Sequence, residues 1–202
     1  MISPMIAIVD YGAGNLNSVK KAFDYLGAKV IVTTQPETVA TADKIVLPGV
    51  GHFSALSGLD QTGLRDALLQ AAGAGKPFLG ICLGMQWLFE GSDEAPRLAG
   101  AGILAGRCRP FPSSVKSPHV GWNSLAVREG SRLLRNVAPD SFVYYTHSFQ
   151  ASVVAATTAA SEYGAQFSAA VEQDNIFGVQ FHPEKSWMVG LLILKNFCEV
   201  QC

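Results

Sequence analysis

Apolar positions along this chain follow two periods. Short apolar runs at 5–9, 29–33, 44–47 and 77–81 read as buried strands. Between them, Leu16, Val19, Ala22, Phe23 and Leu26 recur at helical spacing up to a stop at Gly27. Leu64, Ala67, Leu68 and Ala71 do the same across 64–74, where Gly73 and Gly75 end the run, and 36–41 is a short turn or helix. Strand alternating with helix predicts a parallel sheet with helices on both faces.

Beyond 91 the pattern loosens. Prolines and glycines over 91–117 indicate hairpins and loops flanking the sheet, and 117–123 is too polar for a core strand yet too aromatic for a plain linker. Runs at 142–146, 153–156 and 167–171 read as short strands, the later ones antiparallel, and 176–181 as a last strand. A final helix places Val189, Leu192, Ile193, Asn196 and Phe197 on one side. The expected fold class is therefore α/β, with a mostly parallel central sheet, helices on both faces and a smaller antiparallel strand set, in a single domain over 1–202.

Composition narrows the function. Of 202 residues 49% are hydrophobic and 15% charged, so the chain can bury a proper core, and a net charge of −1 without basic clusters argues against nucleic acid or an anionic membrane as partner. No apolar run is long enough to span a membrane, and 1–12 lacks a basic segment followed by a long apolar one, which makes a cytoplasmic location the expectation. Cys82, Cys108, Cys198 and Cys202 form no Cys-x-x-Cys pair, and His52, His119, His147 and His182 show no metal-binding spacing. Cys108, Cys198 and Cys202 read as packing or surface thiols. The Gly12-x-Gly14 turn has Asn17 where a dinucleotide fingerprint needs its third glycine, so neither a metal nor a cofactor is expected.

Three stretches carry candidate chemistry. At 80–84, Gly-Ile-Cys-Leu-Gly between a strand and a short helix has the form of a nucleophile elbow: glycines flank a cysteine held in strained backbone at a helix start, where exposed N–H groups favour a thiolate. A buried structural cysteine fits the same five residues. At 48–53, a glycine-rich loop follows a strand end, where backbone poor in side chains can aim an N–H at a developing oxyanion; an ordinary tight turn would look alike. At the last strand's end His182 and Glu184 lie two apart, with Pro183 keeping the segment extended or turning, so the carboxylate can orient the imidazole. Base before acid is the reverse of the α/β-hydrolase order.

Together these residues resemble the class I, triad-type glutamine amidotransferases: Pro-Gly-Val-Gly at 48–51, Gly-Ile-Cys-Leu-Gly-Met-Gln at 80–86 and Gly-Val-Gln-Phe-His-Pro-Glu-Lys-Ser at 178–186. Asp-Tyr-Gly-Ala-Gly-Asn-Leu at 10–16, Pro-His-Val-Gly-Trp-Asn at 118–123 and Tyr-Tyr-Thr-His-Ser at 144–148 make the chain most similar to the glutaminase subunits of imidazole glycerol phosphate synthases, from about 5 to 197. The resemblance implies Cys82 as nucleophile, His182 as base, Glu184 as its orienter, and an oxyanion site at Leu83 and the Val50–Gly51 loop. That loop is expected to need a peptide flip. It further implies Gln86 and the backbone of His147, Ser148 and Phe149 as contacts to glutamine. A cyclase subunit is the implied partner, forming a heterodimer, taking ammonia through a channel and meeting this chain near Asn15, Trp122, Tyr144 and Lys185. Trp87 departs from the smaller aliphatic common at its position, and Gly91-Ser92-Asp93-Glu94 from a more usual Ser-Glu-Glu, which puts local helix packing in question.

Overall fold

A computed structural model describes residues 4–201. The first half runs β1 (Met5–Val9), α1 (Leu16–Tyr25), β2 (Lys29–Thr33), α2 (Pro36–Thr41), β3 (Lys44–Gly49), α3 (Ser57–Gln61), α4 (Leu64–Gly73), β4 (Phe78–Cys82) and α5 (Leu83–Leu88). The second runs β5 (Gly91–Ser92), β6 (Arg107–Pro110), β7 (His119–Ser124), β8 (Ala126–Val127), β9 (Phe142–His147), β10 (Phe149–Ala151), β11 (Thr157–Glu162), β12 (Gln166–Gln173), β13 (Ile176–Val179) and α6 (Trp187–Glu199).

Eight strands form one sheet in the order β2-β1-β3-β4-β13-β12-β11-β8. The run from β2 to β13 is parallel, and β12, β11 and β8 extend it antiparallel. A three-stranded sheet, β10-β6-β5, and an antiparallel pair, β7-β9, stand apart from it. The inner parallel strands split their side chains between two cores. Ile6 and Ile8 of β1 pack with Val19 and Phe23 of α1 and with Ile193, Leu194 and Phe197 of α6. Ala7 and Val9 face the opposite side, with Val39 of α2, Leu59 of α3 and Leu64 and Leu68 of α4. That period-two division is what a strand covered on both faces requires.

A buried cation fastens the chain's last helix to the sheet. Lys44, at the start of β3, donates from Nζ to the carbonyls of Phe197 and Cys198 at 2.9 and 2.8 Å and to that of Val200. Those carbonyls lie at the helix end, where backbone donors are scarce and where the dipole favours positive charge.

Two local expectations are corrected. Residues 153–156 are not a strand: Val154 and Thr157 close a turn, with Thr157 N–H donating to the Val154 carbonyl at 3.0 Å and Val154 N–H to Thr157 Oγ1 at 2.8 Å, and the strand begins at Thr157. The segment around 117–123 is a strand after all, β7, paired with β9 from His119↔His147 to Ser124↔Phe142. Its polar and aromatic composition fits a two-stranded ribbon with His119 turned inward and Val120 and Trp122 exposed. Of the extended or turning forms expected at Pro183 the turn is found, a single 3-10 turn at Pro183–Lys185, because a proline's fixed φ and missing N–H suit a helical first position. Cys202 lies outside the described residues; Cys108 is buried and Cys198 half-buried.

Trp87 is accommodated by burial. Its ring stacks on Phe78 at 6.0 Å between centroids, and the Arg65 guanidinium lies 5.9 Å from its ring centre, although the indole Nε1 has no hydrogen-bond partner. The turn from β4 into α5 is tighter still. A Cβ on Gly80 would sit 2.5 Å from the Gly84 carbonyl oxygen, and one on Gly84 would fall within the Leu47 carbonyl group. The helix start thus packs backbone to backbone on β3 and β4. Gly84→Ala should lower stability in urea unfolding by about 3 kcal/mol, the upper range for overpacking; unchanged stability would show that β3 can yield at Leu47.

Candidate active site

Cys82 ends β4 and opens α5 with φ 53° and ψ −105°. A positive φ is strained for a residue with a side chain, and such strain persists only where the surroundings enforce it. Here β3 and β13 flank β4, with Gly49 in register with Cys82 and Val179 with Ile81. The thiol is 95% buried, 5% of the residue remaining exposed at the floor of a cavity.

The base is fixed through its backbone. His182 N–H donates to the Tyr144 carbonyl at 2.9 Å. Ser186 Oγ donates to the His182 carbonyl at 2.7 Å and accepts the Tyr144 N–H at 2.9 Å. So clamped to β9, the ring brings Nδ1 within 2.8 Å of Glu184 Oε1, both side chains being 1% exposed. Asn15 Nδ2 reaches the same oxygen at 3.4 Å. Nε2 makes no hydrogen bond and is left for the sulfur. Burial by itself would lower the imidazole's proton affinity, but the neighbouring Cys82 sulfur and the Glu184 carboxylate outweigh it and push the pKa up to about 10.

The cavity beside Cys82 has a volume of about 260 Å³. Of the expected oxyanion and substrate residues, Gly51, Leu83, Gln86, His147, Ser148 and Phe149 line it, and Val50 does not. Gly51 has φ 96°, is exposed, and has open space where a Cβ would project. Gln86 commits both protons of its amide nitrogen inside the protein, to the Phe149 carbonyl at 2.9 Å and Gln180 Oε1 at 3.1 Å. The Phe149 carbonyl also bonds His147 Nδ1 at 2.9 Å. Burial pushes His147 down to about 3 and its neighbour His119 down to about 4, so both rings are neutral at pH 7.

Three further lining residues carried no assigned site role in the sequence: Glu94, Pro118 and Thr146. Glu94 comes from the Gly91–Glu94 departure and accepts the Phe53 N–H at 2.7 Å, joining two loops that meet only in the fold. Gln180 was visible, two residues before His182, but no role was assigned to it. Its Nε2 lies 3.7 Å from Cys82 Sγ. Among the described residues, no group of three His, Cys, Asp or Glu side chains could hold a metal.

Three of the four expected interface residues are linked by ring contacts, and the fourth, Asn15, meets Glu184. The Trp122 ring meets those of Tyr144 and Trp187 at 6.0 and 5.2 Å, and Lys185 Nζ lies 5.6 Å from the centre of the Tyr144 ring.

The fold and this constellation correspond to a family: residues 7–199 match the model for glutamine amidotransferase class-I, and the chain belongs to that family. Among its curated relatives is imidazole glycerol phosphate synthase subunit HisH of Methanothermobacter thermautotrophicus, 48% identical over 201 residues, 97% of this chain and 98% of that protein. The HisH subunit of Gloeobacter violaceus is 48% identical over 204 residues, 98% of this chain and 90% of its own. A solved structure of PurLQS from Thermotoga maritima aligns with a TM-score of 0.77 at 20% identity, over 98% of this chain and 99% of that one. Another, described as a glutamine amidotransferase, gives 0.75 at 16% identity, over 96% and 99%. These two likenesses concern the fold alone.

The raised imidazole makes a measurable prediction. A group that binds its proton more tightly in the folded state stabilises fully below its unfolded value, about 6.5, and loses that contribution as pH rises towards about 10. Cys82→Ala removes the sulfur and leaves burial opposed by Glu184 alone. NMR titration should find the His182 pKa lower in Cys82→Ala, with a flatter alkaline decline in stability; an unmoved titration would show that the sulfur does not act on the ring.

Proposed function

We propose that this chain is the glutaminase subunit of an imidazole glycerol phosphate synthase, releasing ammonia from glutamine for a cyclase subunit in histidine biosynthesis, in the cytoplasm and as one domain over 1–202. The observation that carries the reading is the buried His182–Glu184 pair, 2.8 Å apart, set against a cysteine at positive φ beside a small cavity. The named relatives supply the pathway.

The chemistry follows from the geometry. His182 takes the thiol proton, and the Cys82 sulfur attacks the side-chain amide carbon of glutamine, placing negative charge on its oxygen. N–H groups of Leu83 and of the Val50–Gly51 loop receive that charge. The tetrahedral adduct collapses, its C–N bond breaks, and His182 returns the proton to the departing ammonia. Neutral His182 then activates water against the thioester, releasing glutamate and restoring the thiol. Glu184 holds the ring through Nδ1 and offsets its charge. The carboxylate of Glu94 suits the ammonium group of glutamine, while Gln86 and the backbone of His147, Ser148 and Phe149 shape the cavity around the substrate.

Two features favour dependence on the partner. Gly51 is exposed with open space at its Cβ position, so the peptide before it is free to turn, and a missing oxyanion donor costs about 3–4 kcal/mol of transition-state stabilisation. Trp187 and Met188 are 78% and 74% exposed, and with Val120, Trp122 and Phe142 they form an uncovered apolar patch adjoining Asn15, Tyr144 and Lys185. A patch of that kind suits a stable protein partner.

Glutaminase assays with and without the cyclase and its nucleotide should show little turnover by the isolated chain and a large rise when both are added. Cys82→Ala should abolish it. Full activity of the chain alone would refute dependence on the partner, and turnover of esters but not glutamine would refute the assignment. Trp187→Ala should weaken cyclase binding at least about tenfold, as loss of an aromatic anchor does, without changing the thermal midpoint; unchanged binding would move the interface elsewhere.

A further inference from the structure

Gln180 lies in a hydrogen-bonded chain that the Cys-His-Glu triad does not use. Its side chain is wholly buried. In the parallel pairing of β13 with β4, Val179 stands opposite Ile81, so the next residue of each strand, Gln180 and Cys82, leaves the sheet beside the other. The orientation of the Gln180 amide is fixed from a distance. The Phe149 carbonyl can only accept, so Gln86 must turn its NH2 group towards it, at 2.9 Å. The second proton of that group points at Gln180, 3.1 Å away, which must answer with oxygen. The Gln180 NH2 group is thereby left facing Cys82 Sγ at 3.7 Å.

We infer that Gln180 is the positioning residue of Cys82: its amide donates to the sulfur, and its oxygen ties that donor through Gln86 to the Phe149 strand of the cavity. This rests on Cys82 being the nucleophile. A sulfur anion accepts a hydrogen bond more strongly than a neutral thiol, so the donor favours the reactive form and holds the sulfur in place between His182 and the cavity. The amide cannot rotate away without leaving buried groups unpaired. An apolar side chain of the same length would fill the space and supply none of this.

The discriminating measurement is the rate at which iodoacetamide alkylates Cys82 in the full chain at neutral pH, followed by intact mass, which needs neither glutamine nor a cyclase. Gln180→Met should slow alkylation about tenfold, the size of one hydrogen bond to a charged acceptor, while the protein stays folded by circular dichroism. With the cyclase bound, the same variant should lower kcat by more than it raises KM. Gln180→Glu, which keeps the acceptor for Gln86 but puts a carboxylate beside the sulfur, should be slowed at least as much. Wild-type alkylation rates in either folded variant would overturn the inference. Should both variants unfold, the wild-type chain still decides it: the Gln180 side-chain NH2 resonances should shift on alkylation of Cys82, and unmoved resonances would refute the contact. Glutamine turnover that survives complete alkylation of Cys82 would instead refute the nucleophile assignment itself.

Discussion

The parallel register of three adjacent strands is the constraint on which the rest depends. β4 pairs with β3 on one side and β13 on the other, with Gly49 opposite Cys82 and Val179 opposite Ile81. All three strands therefore end at the same level. Their continuations deliver the glycine-rich loop, the thiol and the Gln180–His182 segment to one edge of the sheet, the carboxyl end at which ligands of open parallel sheets bind. A shift of one residue in the β4–β13 pairing would turn Cys82 away from His182.

Holding groups of this kind together has a conformational and electrostatic cost. Cys82 sits at φ 53°, and the His182–Glu184 pair is almost wholly removed from water. The compensation is local and specific. Gly80 and Gly84 let α5 start in contact with the strand backbones, Ser186 and Tyr144 lock the His182 main chain, and Asn15 shares the Glu184 oxygen. Within the pair Nδ1 and Oε1 find partners, while the buried His182 Nε2 and Glu184 Oε2 remain unbonded. The unbonded ring nitrogen is the one that the proposed proton exchange with the sulfur would use.

The active site also adjoins an exposed surface. Lys185 follows Glu184 directly, and Tyr144, whose backbone clamps His182, carries its ring towards Trp122 and Lys185. A partner covering this face, as proposed, would touch residues that hold His182. The route from such a surface to the cavity is thus one of direct contacts through β9 and the 3-10 turn at 183–185, with no long relay required.

Sequence by itself determined the elements whose physics is local. Short apolar runs marked β1, β2, β3, β4 and β13, glycine stops marked the ends of α1 and α4, and the Gly-x-Cys-x-Gly and His-x-Glu spacings marked the candidate triad, because each of these depends on neighbours within a few residues. It failed where a long-range partner decides the outcome. The 117–123 segment became a strand only because β9 lies beside it. Glu94 entered the cavity by a loop contact to Phe53, and the role of Gln180 depends on a carbonyl at Phe149 and an amide at Gln86. Those are decisions of tertiary structure, since a hydrogen bond between residues tens of positions apart leaves no period in the chain and exists only once the sheet has set its register.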